Sequence, residues 1–429
     1  DLSEKAFLKA KTLDPKSTAP YIALSGIYGA SGDWDKAEAS LKEMLDHSDS
    51  RYQDLYYLAS FYEGRSMMEK AENAYQEAAA AAPSDDISPL MNLGGYYARK
   101  KAYDKALETF NKAAAVKKDD ANVLASIAQL HFDFQKIDES EAVVDKILAQ
   151  DAGNLTAIFL KGRILLYKKD YTKALERFEA VLKDKPDNYL AHYMKALCLL
   201  AKGETTLGRE SLVKAVDLYP NLTEARLILA ELYIKSGDKS LAYEQVEAVL
   251  ARSPENTGAL TLMGILKRND KDYASAEEAF KKVIALNPDN PSGYLRLGVL
   301  YNQTGKKDDA LKNLQKSLDL NPAQTDALAL IIGIYLRDDR YNEAIAVCER
   351  QKEKAKDNAS AMALIEYLKG NIFLAQKDSK KAKESFNEAI TIDPNVLSPY
   401  VALAKIYAEE KNFDEAVSQY KSVVEKNPK

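Results

Sequence analysis

The sequence is poor in the residues from which sites of covalent and metal chemistry are built. It has two cysteines, three histidines and one tryptophan in 429 residues. Cys198 and Cys348 stand far apart and read as buried free thiols, so there is no disulfide framework and the redox compartment stays open. His47, His131 and His192 are scattered, with no Cys/His cluster at metal-ligand spacing and no His-Glu-x-x-His helix. Neither a Gly-x-Ser-x-Gly elbow nor a Walker loop occurs. Gly26, Gly29 and Gly32 come nearest to a phosphate loop, but no strand precedes them, and they read as helix packing and turn. The expectation is a chain that is not an enzyme, with no catalytic residues, cofactor or metal. An excess of positive charge is also missing: 60 Lys and Arg stand against 65 Asp and Glu. That disfavours nucleic acid as a partner, since such binding is driven by cations neutralising phosphates. No apolar run is long enough to span a membrane and no stretch reads as a signal peptide, an absence that leaves the compartment open. No Pro/Gly/Ser-rich linker or low-complexity tract divides the chain.

What is present is a period. A 34-residue frame gives twelve units, starting at Thr18, Tyr52, Ile87, Ala121, Leu155, Tyr189, Thr223, Thr257, Pro291, Thr325, Ala363 and Leu397. The spacing is 34 except for one extra residue before Ile87 and four, Ala359 to Met362, before Ala363. A fixed period in this range is the signature of a solenoid. Residues 1–17, with Ala6, Phe7, Ala10 and Pro15, read as the second helix of a further repeat whose first helix is missing. The chain closes at Pro428, where another unit would begin, so the expectation is a piece of a longer protein. The faces Phe7/Ala10 and Val417/Tyr420/Val424 would then lack stacking neighbours, and end-to-end self-association is expected.

Within the frame the eighth place is small in eleven units, the exception being Ile332, which Gly333 follows. The twentieth place is small in all twelve, from Ala37 to Ala416. Small residues at fixed places let two helix backbones approach closely, where a larger side chain would cost roughly 1–3 kcal/mol. The twenty-fourth place is apolar throughout, and the eleventh is Tyr in seven units. Pro closes eight units, from Pro83 to Pro428, because it cannot sit in a helix interior. Apolar residues such as Ala174, Phe178 and Val181 recur at i, i+4 and i+7, and polar breaks such as Gly237-Asp238 divide each unit. Each unit is therefore a helix, a turn and a second helix.

Tyr294, Leu297-Gly298, Tyr301, Ala310 and Pro322 carry the pattern most cleanly. It resembles the tetratricopeptide repeat (TPR), in the form of a long uninterrupted bacterial-type array. The resemblance implies an all-α fold, a right-handed α-solenoid superhelix of stacked antiparallel helix pairs. It also implies a concave groove that binds a peptide, a helix or a protein surface. In this family, places 2, 5, 9, 12 and 13 of each first helix line the groove. Those places make the units from Tyr52 to Tyr189 apolar and aromatic. The expected partner-binding residues are Tyr56, Phe132, Phe159, Arg163, Tyr167, Tyr193, Leu197 and Leu200. Phe132, Phe159, Tyr167 and Tyr193 are expected to form one aromatic strip, with Arg163 between them for a carboxylate or backbone carbonyl of the ligand. An amphipathic helix or extended apolar peptide would dock there. The alternative is that these side chains pack between neighbouring first helices and are only half exposed.

The units from Thr223 to Thr325 put polar and mixed charges at the same places, including Glu231, Lys235, Arg268, Asn302 and Arg337. A chaperone carboxylate clamp needs Lys at the fifth place, which no unit has. An Asn ladder needs Asn at the sixth, which only Asn92 supplies. The expected function is a non-catalytic protein-binding scaffold, of the kind that assembles bacterial envelope secretion or exopolysaccharide machinery. The alternative is the regulatory array of a larger enzyme. The envelope or periplasm and the cytoplasm both fit. The joint from Gln351 to Met362 is expected to be a helix lengthened by a turn or a longer loop, acting as a plain insertion, a hinge or a partner contact.

Overall fold

Asn and Asp punctuate the chain, and the helices begin where they do. In the computed structural model, which describes residues 2–427, the Asn154, Asn188, Asn256 and Asn358 side chains each accept from the backbone N–H three residues on. Each satisfies a donor that the first turn of a helix leaves without a partner. Asp33, Asp170, Asp272 and Asp378 cap second helices in the same way. The closing proline read at Pro428 lies outside the described residues.

The chain forms two bodies, Asp1–Pro220 and Asn221–Lys429. The first holds α1 (Leu2–Leu13) and the pairs α2 (Ala19–Ala30)/α3 (Trp34–His47), α4 (Arg51–Gly64)/α5 (Met68–Ala81) and α6 (Ser88–Arg99)/α7 (Tyr103–Val116). It continues with α8 (Ala121–Asp133)/α9 (Ile137–Gln150), α10 (Leu155–Tyr167)/α11 (Tyr171–Asp184) and α12 (Tyr189–Ala201)/α13 (Thr205–Leu218). The second holds α14 (Thr223–Ser236)/α15 (Lys239–Arg252), α16 (Thr257–Asn269)/α17 (Tyr273–Leu286) and α18 (Pro291–Gln303)/α19 (Lys307–Leu320). It continues with α20 (Thr325–Arg337)/α21 (Tyr341–Lys354), α22 (Ala359–Ala375)/α23 (Ser379–Ile392) and α24 (Ser398–Glu409)/α25 (Phe413–Lys426). Each body is an α-solenoid in which every pair packs within itself and on the next, and no strand occurs among the described residues.

The turn inside each pair has one demand. Its residue at the fifteenth place of the frame takes a positive φ every time: Gly32, Gly203, Gly237 and Gly305, and otherwise Ser66, Lys101, Gln135, Lys169, Lys271, Asp339, Lys377 and Lys411. The next N–H then reaches back to close the first helix, as from Asp33 to the Tyr28 carbonyl and from Asp238 to the Tyr233 carbonyl, each 2.9 Å. This is the left-handed closure that glycine adopts at no steric cost and other residues adopt at some.

The small eighth place has a specific partner. A Cβ built on Gly94, Gly162, Gly264 or Gly370 would lie 2.4 to 2.8 Å from the ring of Phe110, Phe178, Phe280 or Phe386, the twenty-fourth residue of the same unit. Every Phe at the twenty-fourth place thus sits on a Gly at the eighth. Ile332 inverts the relation: it is buried with Cys348, whose small side chain stands where the other units put Phe, Leu, Tyr or Val. Gly333 is not the compensation for Ile332, because a Cβ there would meet nothing within 4 Å. The twentieth place is buried in every pair, Ala416 being the most exposed at 5%.

Successive pairs are bracketed by tyrosine. Tyr28, Tyr62, Tyr97 and Tyr301 each donate to a glutamate of the preceding second helix: Glu4, Glu38, Glu72 and Glu277, at 2.8 to 3.0 Å. Lys36, Lys70, Lys105 and Lys306 cover the four rings. The neighbouring Lys281 and the Tyr301 hydroxyl hold the Glu277 carboxyl down at about 2.

The four-residue insertion lies inside α22, which runs 17 residues against 13 in α20. Of the two readings of this joint, the lengthened helix is the one observed. Its extra turn brings Glu366, fully buried, to Lys352 at 2.7 Å and Lys369 at 3.5 Å. Lys352 also reaches Glu388, and Lys354 reaches Asp319. No helix among the described residues is long and apolar enough to cross a membrane.

Candidate functional site

The first helices of a body line up side by side, so the inner faces of consecutive first helices form the walls of clefts. In the first body a cleft of about 460 Å³ lies between α6, α8 and α10. Small residues floor it, Gly95, Ala98 and Ala125, with Phe159 and Leu160 on one wall and Gln129 and Asp133 on another. A second cleft of about 500 Å³, between α4, α5 and α6 and the turns before α2 and α4, is lined by Tyr52, Tyr56, Tyr57 and Tyr75.

The sequence-expected residues divide among these places. Phe132 and Tyr167 meet edge to face at 6.2 Å, and Tyr167 is 55% exposed. Phe159 stands apart from them, its ring against Phe178 at 5.6 Å, and turns its remaining surface to the cleft. One continuous strip of four rings is therefore not what Phe132, Phe159 and Tyr167 build. Tyr56 belongs to the tyrosine cleft, where it meets Tyr57 and Tyr75. Tyr193 and Leu197 are half-buried on α12. Leu200 is also half-buried, but its side chain lies 2.8 Å from where a Cβ of Gly208 would sit, so it seals the α12/α13 pair.

Arg163 is not a free cation. Its Nη1 donates to Gln129 Oε1 at 2.5 Å, its Nη2 lies 3.9 Å from Asp133, and the guanidinium covers the Phe132 ring at 4.4 Å. Burial pushes its pKa down, with Asp133 opposing. An arginine held this way fixes the aromatic ring beneath it and carries its charge already matched. Gln129 and Asp133, which hold it, are not among the sequence-expected site residues. Their signal is faint: both stand at groove places one unit before Arg163.

The second body carries a cleft of about 500 Å³ between α14, α16 and α18. Leu227, Ile234 and Ile265 give it an apolar wall, Glu231 and Lys235 stand on the α14 side, and Arg296 enters from α18. Arg296 holds the sixth place, outside those the family resemblance assigns to the groove. A sequence signal exists all the same: no carboxylate stands three or four residues from Arg296 on its helix.

The remaining titratable groups are structural. The Cys198 and Cys348 thiols are buried, and burial raises them to about 11 and about 12, far from a reactive thiolate. His131 receives or gives a hydrogen bond at the Tyr103 hydroxyl, 2.9 Å away, and its burial lowers its pKa. Among the described residues no group of three His, Cys, Asp or Glu side chains could hold a metal ion.

Comparison with known proteins agrees with this geometry. Of curated proteins, subunit 3 of the anaphase-promoting complex of Schizosaccharomyces pombe is 25% identical over 178 residues, 41% of this chain and 26% of that protein. The human protein O-mannosyl-transferase TMTC1 is 27% identical over 116 residues, 27% of this chain and 13% of that one. The matched part of the chain thus spans about a quarter or less of the length of these relatives. Of solved structures, yeast Tom70 superposes with a TM-score of 0.50 at 15% identity, covering 88% of this chain and 92% of that one, and shows the same fold. Models of the tetratricopeptide repeat match residues 159–223, 269–312, 305–366 and 373–429. With stacked helix pairs in both bodies and these matches, which lie between residues 159 and 429 and together cover about half of the chain, the chain belongs to the tetratricopeptide-repeat family.

Proposed function

We propose that the chain is a non-catalytic scaffold that holds a protein or peptide partner in the concave face of its first body. The observation that carries this is the cleft between α6, α8 and α10. Its floor of small residues leaves room for a bulky apolar side chain, and Phe159 supplies a wall against which one packs. Beside it, Tyr167 stays exposed on a Phe132 ring that Arg163 holds still. A rigid aromatic next to an apolar pocket is the arrangement on which interface hot spots are built. The occupant we propose is an amphipathic helix or an extended apolar segment, with Tyr193, Leu197 and Tyr56 farther along the same face. Selection of displayed peptides on the intact chain tests this. Enriched sequences should carry apolar residues at helical or alternate spacing, and Ser126→Trp, which fills the cleft, should abolish their binding. Enrichment indifferent to that substitution sinks the reading.

The setting we propose is a bacterial envelope assembly, on the length and regularity of the array. A second reading, the regulatory array of a larger enzyme, draws on the match to part of a protein whose name is that of a transferase. We also propose end-to-end association through α1 and α25: Val417, Tyr420 and Val424 are exposed on α25, whereas on α1 the expected Phe7 and Ala10 are half-buried and the exposed apolar residues include Leu2 and Leu13. Sedimentation velocity across protein concentration tests it, and a concentration-independent monomer would reject it.

A further inference from the structure

Two arginines of the second body, Arg268 and Arg296, lie close enough for the charge of one to act on the other. Arg296 on α18 lines the cleft between α14, α16 and α18, and its Nε is buried with no hydrogen-bond partner. Arg268, on the last turn of α16, is half-buried. Burial lowers its pKa first, and the nearby Arg296 charge lowers it further. Neither guanidinium makes a hydrogen bond or an ion pair with the described residues. Two other arginines of the same body are matched: Arg337 donates to Asn302 and Arg340 to Glu343. Glu231 stands on the opposite wall but joins neither cation, and Lys235, one turn along, adds a third positive charge.

A buried guanidinium donor left without an acceptor is costly, and two adjacent guanidinium groups add repulsion to that cost. A carboxylate between them would relieve both, since the planar donor fork of arginine matches a carboxylate in two parallel bonds. The apolar wall of Leu227, Ile234 and Ile265 in the cleft that Arg296 lines fits an aliphatic side chain. We infer that this cleft is a second binding site, taking an internal peptide segment in which an Asp or Glu side chain sits next to an aliphatic one. The site rests on the scaffold reading but is independent of the first-body groove. Its recognition element is a side-chain carboxylate, which leaves the end of the partner chain free.

The test uses the whole chain and short peptides alternating Leu and Glu, capped at both ends, beside the Leu and Gln counterpart. The Glu peptide should bind at least about tenfold more tightly, because charged hydrogen bonds contribute more than neutral ones. Arg296→Gln and Arg268→Gln should each erase most of that preference. Neither should lower the melting temperature, since each removes repulsion from the free protein. A retained preference in both variants, or equal binding of the Glu and Gln peptides, overturns the inference. So does binding that requires a free carboxy terminus, or competition by inorganic phosphate that matches the peptide. If the acidic peptides fail while apolar peptides still bind in a manner sensitive to Ser126→Trp, this site alone is refuted. If both fail, the scaffold reading falls with it.

Discussion

Alanine at Gly264 would place a methyl group 2.4 Å from Cε1 of Phe280 and 2.8 Å from its Cδ1 and Cζ. On an exposed helix Gly→Ala is favourable by roughly 1 kcal/mol. Here the Phe280 ring is fully buried and has nowhere to turn. Overpacking of this kind costs roughly 1–3 kcal/mol, so the net expectation is a loss of up to about 2 kcal/mol. The chain itself shows the remedy. Ala128 accompanies Val144 and Ala230 accompanies Val246 at the same two places. Phe280→Val alone should destabilise by cavity formation, yet in the Gly264→Ala background it should cost at least about 1 kcal/mol less. Urea denaturation of the four proteins closes the cycle. Hydrogen exchange should locate the loss in α16, α17 and the pairs beside them, because coupling in repeat arrays runs between neighbours. If Gly264→Ala raises stability, or the two changes add independently, the ring-on-glycine account is wrong.

Three further outcomes are expected. At the turns, Lys271 holds φ +64° and Gly305 φ +77°; Lys271→Gly should stabilise by up to about 1 kcal/mol and Gly305→Ala destabilise by a similar amount, and chemical denaturation that finds no opposition of sign would contradict this. The Glu277 carboxyl ionises at about 2 in the fold against an ordinary 4.5, so the stability it contributes is complete above about 4.5 and lost as pH falls toward 2; melting should drop across that window and Glu277→Gln should flatten the drop, whereas equal slopes in both proteins would refute the bracket. Glu366→Gln should remove the carboxylate that Lys352 and Lys369 share and cost about 3 kcal/mol, the low end for breaking a buried pair, because Glu388 and Glu349 still reach those lysines; unchanged hydrogen exchange in α21 to α23 would show the network to be dispensable.

The fold is legible in the sequence because the same physics is written repeatedly. One small residue at one place means little, but a small residue at the twentieth place of every unit, from Ala37 to Ala416, does not arise by chance. Repetition also exposes the close approach of the two helices, although not its full cause. The ring that fills the space over Gly94, Gly162, Gly264 and Gly370 follows from pairing the eighth place with the twenty-fourth, and the same pairing explains Ile332 by Cys348. The candidate site is legible only as a face. A place in the frame says which way a Cα–Cβ bond leaves the helix, and the rotamer and the neighbours decide the rest. So Leu200 turns to Gly208, Phe159 leans on Phe178, and Arg163 is taken up by Gln129 and Asp133. Arg296 escapes a reading by frame because its place is not one that the family pattern assigns to the groove.

The central claim is that the first-body groove seats an apolar partner segment. The most direct measurement is the affinity of the intact chain for a selected apolar peptide, compared with Tyr167→Ala, Ser126→Trp and Arg337→Ala, with helicity followed by circular dichroism. The account predicts at least about tenfold weaker binding for each of the first two, as expected on truncating or blocking a hot spot, with helicity unchanged and Arg337→Ala close to the parent. Binding that survives both groove changes and is lost with Arg337→Ala would contradict it.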